Sequence, residues 1–178
     1  INGDGTIVAI GAYNNDGTTT DTNWNSGHVR IYQYDGTVWN QLGQDIDGEA
    51  SGDESGYSVS INSDGTIVAI GAYLNDGTGA GNEGHVRIYQ YDGTVWNQLG
   101  QDIDGEAASD ESGSSVSINS DGTIVAIGAP ENRDNGNWSG HVRIYQYDGT
   151  VWNQLAYDIE GEASTNRSGW AVSLSDNG

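Results

Sequence analysis

This sequence predicts an all-β chain of β-propeller-type blades, three tandem repeats that are each a four-stranded antiparallel meander. Three observations predict it. The first is self-similarity: Gly27 to Ala50 reads GHVRIYQYDGTVWNQLGQDIDGEA, Gly84 to Ala107 repeats it unchanged, and Gly140 to Ala163 departs only at Ala156, Tyr157 and Glu160. The phrase SDGTIVAIGA stands at Ser63–Ala72 and Ser120–Ala129, with Gly3–Ala12 a near match, and a fixed period of 57 residues marks stacked repeats. The second is composition: hydrophobic residues make up 34% of 178 residues and Gly fills 28 positions, a balance suited to short strands joined by many turns. The third is turn chemistry. Asp64-Gly65 and Asp92-Gly93 separate β-rich runs, and an Asp-Gly step there predicts a primed turn with positive φ at both central residues.

The elements follow in order. Ser58–Asn62 is predicted as the first strand of a repeat, Thr66–Ala72 as the second, His85–Tyr91 as the third and Thr94–Leu99 as the fourth. Val, Ile, Tyr, Trp and Thr dominate these runs, as suits pleated, half-buried segments. The unbroken run Ile67, Val68, Ala69, Ile70 predicts burial on both faces, and Gly71 and Ala72 follow where backbones must approach closely. A β-solenoid is the alternative repeat architecture, but its rungs recur every ~20–30 residues with one strand type per face. Four dissimilar strands per repeat fit that badly. Residues 1–57 then form blade 1 with an incomplete first strand, 58–114 blade 2, 115–167 blade 3, and 168–178 the first strand of a following or closing blade. A chain that opens on Ile1 without Met and stops inside a repeat is expected to be a processed product or an excerpt.

The segment Ser55-Gly56-Tyr57-Ser58-Val59-Ser60, then Ile70-Gly71-Ala72, then Gly84-His85-Val86-Arg87-Ile88-Tyr89, resembles an FG-GAP repeat, and the third copy carries Gly128-Ala129-Pro130. The resemblance spans all three repeats and implies integrin-α-like propeller blades, as also found in many secreted microbial proteins. Ser55, Ser112 and Ser168 stand where that family has Phe. The family's calcium site lies in an acidic loop between first and second strands. This chain has a tight Ser-Asp-Gly turn there, so the site does not carry over.

Net charge is −21, with five Arg and no Lys. Such a surface repels phosphate backbones and anionic headgroups, which removes nucleic acid and membrane surfaces as partners. It favours cations or a high-salt setting. No apolar run approaches the roughly 20 residues a membrane span needs. There is no Cys, so disulfides say nothing of compartment. Asn137-Trp138-Ser139 and Asn166-Arg167-Ser168 are glycosylation sequons, making Asn137 and Asn166 acceptor candidates in a eukaryotic source.

In a meander, the loops joining strands two and three emerge on the same side as the connections from strand four to the next blade. Tyr13–Ser26, Tyr73–Glu83 and Pro130–Ser139 are the variable loops, and half of the 26 carboxylates lie on the connections. Loops on a rigid scaffold are where binding resides. Asp45, Asp47 and Glu49, with Asp102, Asp104 and Glu106, put several hard oxygens within one turn and read either as a Ca²⁺ site or as a solvated connector. His28, His85 and His141 occupy equivalent positions on separate third strands and cannot converge on one ion, so they read as packing residues. Strand alternation puts each with an Arg and a Tyr on one face, as His28, Arg30 and Tyr32, with a cation–π contact to a Trp such as Trp39. Trp39, Trp96 and Trp152 recur and are expected in the core. Trp24 and Trp138 lie in the variable loops, where an aromatic stacks on a sugar, anchors a partner or folds back over its own blade.

No converging nucleophile, base and oxyanion donor can be identified, which predicts a non-enzymatic structural or adhesive module outside the cell. A carbohydrate-binding propeller using Trp24 and Trp138 is the alternative. Blade 1 lacks an inner strand that residues 168–178 hold in surplus, and unpaired edges are sticky. Trp170, Val172 and Leu174 are therefore expected to pair with the strand of Ile7 and Ala9 in another copy or in a flanking blade of a longer chain, giving a ring or a filament.

Overall fold

The computed structural model describes residues 1–16, 24–77 and 81–178, and these form three antiparallel sheets. Blade 1 holds β1 (Ile7–Ala12), β2 (His28–Tyr34), β3 (Trp39–Gln41) and β4 (Ile46–Asp47). Blade 2 holds β5 (Ser58–Ile61), β6 (Ile67–Ala72), β7 (His85–Tyr91), β8 (Trp96–Gln98) and β9 (Ile103–Asp104). Blade 3 holds β10 (Ser115–Ile118), β11 (Ile124–Ala129), β12 (His141–Tyr147), β13 (Trp152–Gln154) and β14 (Ile159–Glu160). The meander runs in sequence order, β5-β6-β7-β8, as expected for a blade.

The outer strand is longer than the sequence suggests. β8 and β9 both pair with β7, Tyr91 opposite Trp96 and His85 opposite Asp104, with Leu99 N donating to Ile88 O between them. The fourth strand thus runs on past its expected end, interrupted at Gly100–Asp102, where Gly100 takes φ +78. The turns also differ. In the outer hairpin only Gly93 is positive, at φ +98, so Gly93–Thr94 is the central pair and Asp92 instead accepts the backbone amides of Thr94 and Val95. A Gly at the first central position is the other primed geometry.

The core lies between blades. Ile7, Val29, Ile31 and Ile46 of blade 1 pack against Val68, Ile70, Tyr89 and Trp96 of blade 2, while Ile67, Ala69, Val86, Ile88 and Ile103 face blade 3. Successive β6 side chains therefore feed two different junctions, which is why that strand reads as an unbroken apolar run. Each junction also closes at glycine: a Cβ on Gly71 would collide with the Gly113 carbonyl, and one on Gly11 with that of Gly56. Along the inner edge Gly3 N donates to Ser63 O, Ser63 N to Ser120 O and Ser120 N to Asp176 O, a belt that links all three blades and the C-terminal segment.

Candidate functional site

Each junction is fastened by one clasp. Trp96 Nε1 donates to Leu42 O at 2.9 Å, and the Gln44 carboxamide exchanges hydrogen bonds with Trp96 N and O across the gap. Trp152 repeats this on Leu99 and Gln101. Arg87 Nη2 reaches Asp47 O at 2.9 Å and its Nη1 lies 3.2 Å from Glu49, and Arg143 does the same to Asp104 O and Glu106. Buried Trp and Arg side chains that donate across the gap to backbone carbonyls and carboxylates fix one register for the stack. The expected Arg–Trp stacking is corrected. Arg87 and Arg143 lie over their own-strand Tyr89 and Tyr145, and Trp96 and Trp152 stack on Tyr91 and Tyr147.

The expectation that all three repeated Trp are core is corrected too. Trp96 and Trp152 are 4% and 3% exposed, but Trp39 is 46% exposed and lines an open apolar face with Val8, Ile10 and Tyr32. Ile7 is buried and Ala9 half-buried against blade 2, so the side chains on that free face are Val8 and Ile10. At the opposite end Trp170, Val172 and Leu174 run beside β10, with Leu174 N donating to Ser117 Oγ, and β1 pairs only with β2 among the described residues.

The carboxylates singled out for calcium are brought together in a different grouping, each beside a histidine. Asp45 and Asp47 meet His28, and Glu49 and Asp102 meet His85. Glu106 meets His141 with Asp134 and Asp158, while the Asp104 side chain joins none of these groups. Asp45 is bound by both oxygens to Arg30, and that guanidinium holds its carboxyl below the usual range. Burial leads the rise of Asp104 above its usual value, followed by the neighbouring charges of Asp102 and Glu83. His85 is pushed down to about 4, chiefly by burial and then by Arg87, and so stays neutral. The recurring interval from each His to an Asp 17 residues on was the signal in the sequence for these pairs.

On the loop side an aromatic groove forms that the repeat pattern did not announce. Tyr57, Tyr73, Glu111, Ser114 and Trp170 line it, with Tyr57 4.2 Å from Tyr73 and 5.5 Å from Tyr13 between ring centroids. Burial and the hydrogen bond to Glu54 raise the Tyr73 phenol, and burial with nearby Glu131 raises the Glu111 carboxyl. Arg167, ion-paired to Glu131 at 2.8 Å, lies over both Trp138 and Trp170. Trp138 is thus held by its own blade, at φ +56 where Asn25 and Asn82 stand in the other copies, whereas Trp24 is largely exposed. Asn137 and Asn166 are both exposed. Parts of the first two variable loops, residues 17–23 and 78–80, lie outside the described residues.

Residues 46–89 and 103–145 match the family model of the FG-GAP repeat. Each match begins on the tail of a fourth strand and ends in the next third strand, so it spans the connection between two blades but not the Trp clasp. No curated protein matches the chain in sequence. Among solved structures it is similar to the periplasmic gluconolactonase PpgL of Pseudomonas aeruginosa, at 12% identity over 85% of this chain and 38% of that one, with a TM-score of 0.44. The chain therefore spans less than half the length of that protein. The expectation of a non-enzymatic chain, drawn from finding no converging nucleophile, base and oxyanion donor, is corrected: this structural neighbour is an enzyme.

Proposed function

Starting from a chain that carries FG-GAP repeats in propeller-type blades, we propose that it is a stacking module of a larger structural or adhesive assembly outside the cytoplasm, at or beyond the cell surface. The observation that carries this reading is Trp39, open at 46% where its two equivalents are sealed. Its occupant is a flanking blade of the same type, which offers a Leu-Gly-Gln step to the indole as Leu42-Gly43-Gln44 does to Trp96. A second copy of this chain fits less well. Its trailing face shows Leu155-Ala156-Tyr157 instead, and its residues 174–178 hold the same repeat positions as residues 1–5 of the incoming copy.

Sedimentation tests the reading. A chain ending at Ser173 with Ala156→Gly and Tyr157→Gln offers an interior-type trailing face and frees that slot. It is expected to associate head to tail, and Trp39→Ala is expected to return it to single-chain mass. A variant that remains single at all concentrations counts against stacking through Trp39.

The loop-side groove supports a second reading, a carbohydrate-binding face. Stacked tyrosines beside carboxylates and an exposed Trp170 suit a sugar ring and its hydroxyls, and this moves the platform from Trp24 and Trp138 to Tyr57, Tyr73 and Trp170. On a glycan array, sugar binding lost in Tyr57→Ala and kept in Trp24→Ala favours the groove; the reverse favours the loop tryptophan.

A further inference from the structure

At the junction of blades 2 and 3, donor atoms from four separate segments converge. Glu106 follows β9, Asp134 lies in the loop after β11, His141 opens β12 and Asp158 precedes β14, and one ligand atom from each lies within 4.8 Å of all the others. His141 is 1% exposed, and its Nδ1 makes no hydrogen bond among the described residues, although Asp158 Oδ2 is 3.4 Å away. A buried imidazole nitrogen without a partner is costly unless a ligand completes it. The other Asp158 oxygen accepts from Gln154 Nε2, which leaves Oδ2 turned to the histidine. Charge points the same way. Three carboxylates face one guanidinium, that of Arg143 at 3.4 Å from Glu106, so carboxylates outnumber the arginine at the cluster.

We propose that Glu106, Asp134, His141 and Asp158 form a site for a divalent transition-metal cation of the zinc type. One imidazole nitrogen with carboxylate oxygens, four donors in all, is the set such ions take. Calcium takes six to eight oxygens and gains nothing from an imidazole. The cation offsets the excess of carboxylates and ties the fourth strand of blade 3 to the connection leaving blade 2. The site is particular to the third copy, because the position of Asp134, counted from the end of the second strand, is Gly17 in the first and Gly77 in the second. It stands independently of the stacking reading.

The test is titration of the chelator-stripped chain with Zn²⁺, Ca²⁺ and Mg²⁺, followed by calorimetry and by thermal melting at constant ionic strength. One equivalent of Zn²⁺ per chain is expected to bind and raise the melting temperature, since a ligand of the native state stabilises by mass action. Asp134 is exposed, so Asp134→Asn keeps the fold and is expected to weaken Zn²⁺ binding by at least about tenfold. Substituting Co²⁺ gives a visible absorption band that reports nitrogen and oxygen ligands, and His141→Gln is expected to change it. The proposal is overturned if Zn²⁺ does not bind, if Asp134→Asn binds it equally, or if Ca²⁺ binds as tightly as Zn²⁺.

Discussion

The interior junctions and the trailing face of blade 3 are written in almost the same words and do different things. At Gly43 and Gly100 a following indole lies so close that a Cβ would come within 2.9 Å of its Cδ1, while the third copy has Ala156 at that position. At Gln44 and Gln101 a carboxamide grips the next Trp backbone, while the third copy has Tyr157, almost fully exposed. At Asp47 and Asp104 a carbonyl receives the next Arg, while the third copy has Glu160. All three departures from the 24-residue phrase, and no others, fall on positions that touch a following blade. Identity is kept at the two junctions within the chain and lost on the trailing face of blade 3. The difference teaches that the repeated phrase encodes a junction more than it encodes a blade.

The largest test of that contrast is truncation of the clasp. Trp96→Ala is expected to cost about 3–5 kcal/mol, the usual range for a buried Trp, measured by urea unfolding. Trp39→Ala in the same chain is expected to cost less than about 1 kcal/mol, as at exposed positions generally. Equal losses would mean that the junction is not what Trp96 holds.

Acid is expected to act next, at the second blade. The His85 imidazole sits at about 4 in the fold against an ordinary value of 6.5. A depressed histidine binds its proton more readily in the unfolded chain, so stability rises with pH across that window and is lost as pH falls from 6.5 toward 4. The expected loss, about 3 kcal/mol, is read from urea midpoints along a pH series. His85→Gln, if folded, should flatten the profile there. A slope of opposite sign would contradict a buried neutral imidazole.

One exchange made in both directions sharpens the comparison further. Gly100→Ala puts a Cβ against Trp152 at a left-handed position, φ +78, and is expected to cost about 2–4 kcal/mol from overpacking and backbone strain together. Ala156→Gly relieves an exposed left-handed alanine at φ +58, and is expected to stabilise by about 1 kcal/mol. Matching thermal shifts of the same sign would erase the distinction between the two faces.

Much of the blade was legible in the sequence. The strands, their order and the double-sided burial of β6 followed from Val and Ile runs between Asp-Gly steps, because period and turn chemistry are local. The continuation of the outer strand through β9 was not legible, since Gly100 reads as an end of strand when it is an interruption. The FG-GAP resemblance rested on short motifs at strand starts and ends, and the family match covers those same motifs. The site was harder. Glu49 and Arg87 lie 38 residues apart and meet only because blades stack. The groove was hidden because its aromatics, Tyr57 and Trp170, stand where the second copy has Ser114, and a reading tuned to repetition passes over what varies.

The central claim is that Trp39 waits for a Leu-Gly-Gln step, and it is tested most directly by supplying one in phase. Residues 58–117 placed before Ile1 continue the repeat without a break, since Ile1 matches Ile118. The measurement is iodide quenching of Trp39 fluorescence in the extended chain, with the other tryptophans replaced by Phe where folding allows. The account predicts that the emission of Trp39 moves to the blue and that it becomes as shielded as Trp96. A folded extended chain in which Trp39 stays as quenchable as in the parent would contradict it.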